Sequence, residues 1–96
     1  MLKVADLFTL SAGAWVISVG VQFPDNSSGT RAARLYFDGS GAATAYQAYP
    51  AGSGVRAMNL NAVLNIGSSV DIDLYARQNS GSSMTVTYYA RAMRII

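Results

Sequence analysis

Cysteine, histidine and glutamate are all missing from these 96 residues, and only 12% of the chain is charged. Each absence removes something. Without cysteine no disulfide can staple the fold. Without cysteine and histidine the usual zinc ligands are gone, and so is the usual base of a serine hydrolase. A chain this short buries only about 60–70% of the surface its unfolded form exposes, so its core is small. Small domains make up the shortfall with disulfides, metal or oligomerisation. Here oligomerisation is the option left, and a surface poorer in charge than a monomer of this size normally wears agrees with it.

The seven basic residues are scattered, which gives no basic stripe and excludes nucleic acid as the expected partner. The apolar run from Ala14 to Val21 is broken by Ser18 and Gly20 and is too short to span a bilayer. The N-terminal stretch loosely imitates a signal peptide, but Asp6 and the alternation that follows argue against one. No membrane insertion is expected.

What is present is a period of two. Gly, Ser and Thr punctuate the chain, and between them apolar and polar residues alternate, which predicts strands throughout. In AWVISVGVQF, Trp15, Ile17, Val19, Val21 and Phe23 share one face. Pro24 to Gly29 reads as a turn cluster that ends this strand. RAARLYFD sets Ala33, Leu35 and Phe37 against Arg34, Tyr36 and Asp38, and closes at the hairpin signal Asp38-Gly39. The alanine- and glycine-rich stretch after it predicts an irregular or edge strand, with Pro50 where no ladder donor is needed. Met58, Leu60, Ala62 and Leu64 alternate with Asn59, Asn61, Val63 and Asn65; Val70, Ile72, Leu74 and Ala76 form the next inward row. With VADLFTL at the start and a hydrophobic last strand, about seven strands are expected in one domain covering 1–96. An all-β antiparallel sandwich or jelly roll fits that spacing.

Few residues offer chemistry. Asp71 and Asp73 fall on one strand face about 7 Å apart, a spacing open to an ion site but equally to cross-strand pairing with Arg34, Arg77 or Arg91. A serine–lysine pair would need Lys3, close to the chain end. No catalytic residue, cofactor or metal ligand is assigned, and an enzyme is not expected. Trp15 begins a buried row, which favours a core role. In the last strand, if Tyr88, Ala90 and Ala92 line the interior, then Tyr89, Met93 and Ile95 form an outward apolar row that a monomer should not expose. That row is read as a subunit contact with Tyr36 and Tyr75 as its neighbours; the alternative is that a loop or the first strand covers it. Tyr46, Gln47 and Tyr49, aromatics and an amide beside Pro50, suit either a carbohydrate platform or a packed loop.

Gly13-Ala14-Trp15 at a strand start, Gly29-Thr30-Arg31 entering another, and Gln78-Asn79-Ser80-Gly81 before the last strand together resemble the jelly-roll domains of the tumour-necrosis-factor and complement globular-head superfamily. The likeness is to the bacteriophage and bacterial branch that caps tail fibres. The resemblance implies a homotrimer on the virion exterior, contacting other virion proteins and a bacterial surface carbohydrate or protein. The chain starts at its first strand without the shaft that usually precedes such a head, so it is expected to be an excised head or a free-standing virion component. A capsid or tail decoration protein, or a secreted bacterial binding module of the same fold, are the alternatives.

Overall fold

The computed structural model describes residues 2–24, 26–38, 46–52, 56–81 and 85–95, with backbone alone at 26–29, 46–52 and 56. Alternation becomes strand at each place it was read. β1 is Leu2–Leu10, β2 Gly13–Phe23, β3 Asn26–Phe37, β4 Tyr46–Gly52, β5 Arg56–Ile66, β6 Val70–Gln78 and β7 Thr87–Arg94. They form a four-stranded sheet, β1-β6-β3-β4, and a three-stranded sheet, β5-β2-β7, all antiparallel. The two sheets pack face to face as a β-sandwich, and the molecule measures 43 × 20 × 17 Å.

The connectivity has a simple order. β3 pairs with β4, β2 with β5 and β1 with β6, three nested antiparallel pairs of the kind one long hairpin makes when folded over itself. β7 then adds to the free edge of β2. The Gln78–Gly81 turn, where Gly81 takes φ +88, therefore starts a crossing from one sheet to the other.

Side-chain parity fills the space between the sheets. Ile17, Val19, Val21 and Phe23 of β2 meet Ala33, Leu35, Ile72 and Leu74 across the sandwich, and Met58, Leu60, Ala62 and Leu64 complete the core from β5. A one-residue slip would turn any of these rows to solvent, so burial pins the register. β4 is an edge strand with Pro50 opposite Thr30, as expected. At the opposite edge, β1 carries two register shifts and the charges Lys3 and Asp6, devices that make an edge a poor template for further pairing.

One expectation needs correction. The Pro24–Gly29 cluster does not hold the chain in a turn throughout: β3 already begins at Asn26, and the turn-forming residues appear as a register irregularity between Asn26 and Thr30. Arg31 shares the inward parity of Ala33 and Leu35, and its side chain is wholly buried.

The three motifs each have a structural task. Gly13 takes φ +148, and the Arg94 side chain crosses it, donating from Nη2 to the Ala12 carbonyl at 3.1 Å, with the guanidinium 6.0 Å from the Trp15 ring centroid. The positive φ favours glycine here, and a Cβ would also lie 3.0 Å from Arg94 Nε and push the guanidinium aside. Trp15 Nε1 donates to the Ser11 carbonyl at 2.9 Å. The other two motifs meet each other, because Thr30 N and Thr30 Oγ1 both donate to Asn79 Oδ1, at 2.5 and 3.3 Å. Ser80 N and Oγ donate to Gln78 Oε1 at 2.7 and 2.5 Å.

Candidate functional site

The outer face of the three-stranded sheet is built in cross-strand rows, with β2 in the middle. Val63, Val16 and Met93 stand side by side, then Asn61, Ser18 and Arg91, then Asn59, Gly20 and Tyr89. The first row is apolar and open: Val63 is 74% exposed and Met93 61%. Beyond it Ile95, whose amide donates to the Ala14 carbonyl at 2.8 Å, is 55% exposed. Among the described residues nothing covers this row. Parity in β7 is as expected, since Ala90 and Ala92 pack against the core while Tyr89 and Met93 turn out. Tyr88 is on the inward side yet 46% exposed, because β7 is an edge strand beyond which the sandwich is open.

Tyr89 is set by a glycine. Its ring lies over Gly20 so closely that a Cβ at that position would overlap ring carbons Cε1, Cζ and Cδ1. The pairing covers the Gly20 backbone and leaves the outer face of the ring to solvent. Aromatic cover of this sort compensates a glycine in a strand interior.

Tyr36 and Tyr75 stack on each other, centroids 3.8 Å apart and planes 20° off parallel, with the Arg34 guanidinium 5.9 Å from the Tyr36 centroid. They are on the outer face of the four-stranded sheet, and so on the opposite side of the molecule from Tyr89, Met93 and Ile95. Within one chain the two groups are therefore not neighbours, as the sequence reading had them. Alternation says that both point outward, and it carries no information on which sheet. Val63 and Val16 were missed as members of the apolar row, although a valine in the outward series Asn59, Asn61, Val63, Asn65 is a visible break in polarity.

Beside the tyrosine stack is a charged cluster. Asp6 and Asp73 are directly opposite in the β1–β6 register, and Lys3 Nζ reaches Asp6 at 2.5 Å and Asp73 at 3.7 Å. Asp71 accepts from Thr9 Oγ1 at 2.7 Å, while its amide donates to Asp38 Oδ1 at 2.8 Å. The expected Asp–Arg pairing is thus replaced at Asp73 by a lysine of β1. Its register partners are Tyr36 and Asp6 rather than an arginine, and Arg91 is on the other sheet.

The hydrogen bond from Lys3, and then its charge, hold the Asp6 carboxyl below the usual range, and the Asp6 hydrogen bond raises Lys3. Asp73 is pushed up, first by loss of solvent and then by the hydrogen bond and charge of Asp6, against the Lys3 charge, which lowers it. A carboxyl with a raised folded pKa contributes fully below its unfolded value, about 3.9, and that contribution is lost as pH rises through the folded value. Ionised Asp73 therefore opposes folding at neutral pH. Like charges directly across a ladder destabilise, so Asp73→Asn should raise stability at pH 7 by about 0.2–1 kcal/mol. In urea titrations the gain should vanish near pH 3; a loss of stability at pH 7 would contradict the assignment.

No family model, curated protein or solved structure matches this chain. The resemblance to tail-fibre heads rests on the quoted motifs alone. The candidate glycan residues Tyr46, Gln47 and Tyr49 are in β4, opposite Arg34, Ala33 and Arg31, and their side chains lie outside the described residues.

Proposed function

We propose that this protein is a non-enzymatic virion structural domain, a jelly roll that assembles as a homotrimer and serves as the head of a tail appendage contacting the bacterial surface. The observation that carries the reading is the uncovered apolar row Val63, Val16 and Met93 with Ile95 beside it. Total area does not decide the matter: 5338 Å² is close to the roughly 5,300 Å² that a monomer of 10.1 kDa exposes by size scaling. What argues for a partner is the chemistry of the exposed groups.

The apolar row alone is the contact proposed between copies; the Tyr36–Tyr75 stack is on the opposite face, and a contact joining opposite faces would stack copies in an open line rather than close a ring. The nested strand pairs support the jelly-roll reading. Three copies presenting weak sites together raise apparent affinity by about 10²–10⁴ without any strong single contact.

Light scattering at micromolar concentration should give three times the chain mass of 10.1 kDa. A monomer overturns the assembly. Labelled protein that adheres to whole bacteria supports the appendage head, while adhesion to capsids alone supports the decoration reading instead.

A further inference from the structure

We propose that the Tyr89 end of the three-stranded sheet's outer face is a binding site for an acidic saccharide, with the Tyr89 ring as stacking platform and the Arg91 guanidinium as partner of the sugar carboxylate. Beside the Tyr89 ring the outer face forms an open groove of about 400 Å³, lined by Gln22, Ala57, Asn59, Thr87 and Tyr89. The volume is in the range of small-molecule sites. The Tyr89 ring is held at this groove by its fit over Gly20, and it is 63% exposed. A pyranose offers an apolar C–H face to such a ring and vicinal hydroxyls at its rim. Gln22 and Asn59, both exposed, each supply a donor and an acceptor for those hydroxyls.

Charge selects the class. Among the described residues the aspartates Asp6, Asp38, Asp71 and Asp73 all belong to the other sheet or its margin, and none is on this face. Arg91 follows Tyr89 on the same face by two residues, about 7 Å along the strand. A guanidinium binds a carboxylate through two parallel hydrogen bonds. Tyr89, expected from the sequence to belong to the subunit contact, is assigned to this site instead, because Arg91, Gln22 and Asn59 around it are the charge and amides that the centre of a subunit contact lacks. The apolar row suited to a sister chain is four residues away, about 13 Å, so both surfaces fit on one face.

The test is amide NMR on the labelled full chain, titrated with D-galacturonate and with D-galactose. Galacturonate should shift the amides of Gly20, Asn59, Tyr89 and Arg91 with a Kd on the order of 1 mM, and galactose should bind about tenfold more weakly. Tyr89→Ala should abolish both responses with the solution mass unchanged. Gly20→Ala, which drives the ring off β2, should do the same by an independent route. Arg91→Gln should erase the preference for the acid. Absence of shifts with either sugar, equal affinity for the two, or a change of mass on Tyr89→Ala overturns the proposal. A wild-type chain that proves monomeric would end the assembly reading and leave this one to be decided by the sugar shifts.

Discussion

Met93→Asp should reduce the proposed assembly to single chains of 10.1 kDa. Met93 is the β7 member of the apolar row, next to Val16 and in line with Val63. A carboxylate at the β7 end of that row would have to leave water among apolar groups, at an effective cost of several kcal/mol for each contact that Arg91, two residues away on the same face, offsets only in part. Association with a micromolar Kd amounts to about 8 kcal/mol, and closing a ring repeats the penalty at every contact. The single chain should hardly notice, because Met93 is exposed on an edge strand and substitutions at such positions stay within about 0.5 kcal/mol. Two controls separate contact from fold. Met93→Leu keeps the apolar area and should keep the mass, while Asn61→Asp, one row away among polar groups, should change it little. If light scattering finds Met93→Asp still assembled, the row is not where copies meet.

Which parts of this could be read from the chain follows from the range of each signal. Period two is local, and β5 shows how far it reaches: Met58, Leu60, Ala62 and Leu64 are buried and the residues between them exposed, as the alternation predicts. The inward row of β2 and the edge position of β4 were legible on the same grounds, together with the proline rule. The start of β3 was not, because Asn, Ser and Gly favour turns but also tolerate an irregular ladder. Arg31 shows parity overriding charge: it takes the inward side with Ala33 and Leu35 and is wholly buried. Pairing across the sandwich is set by contacts between residues far apart in the chain, so nothing local in Tyr36, Tyr75 or Tyr89 could assign them to opposite faces. The Tyr89–Gly20 fit was hidden for the same reason: a lone glycine in a strand announces a close approach, and only the β2–β7 register names the ring that makes it.

Leu74→Ala should cost about 2–5 kcal/mol, against a total stability expected at about 5–14 kcal/mol for a chain of this length. Leu74 is wholly buried in the middle of β6, with Leu35 on one side and Ala5 on the other in the ladder, and it faces the other sheet's core row. Truncation leaves a hole that two stiff sheets close poorly, so the cavity adds to the lost transfer energy. In thermal melts this corresponds to a fall of roughly 8–40 °C, taking about 4–8 °C per kcal/mol for a domain of this size. The measurement has to be made on Met93→Asp as background, because in an assembled protein the midpoint depends on concentration and copies bound to one another mask part of the loss. On that background Val63→Ala, which removes methyls from the solvent side, should change stability by less than about 0.5 kcal/mol. The contrast between the two substitutions separates burial within the chain from burial between chains: Leu74 should matter at any concentration, and Val63 only where copies are free to assemble. A loss below about 1 kcal/mol at Leu74 would mean that the sheets do not close on each other around β6.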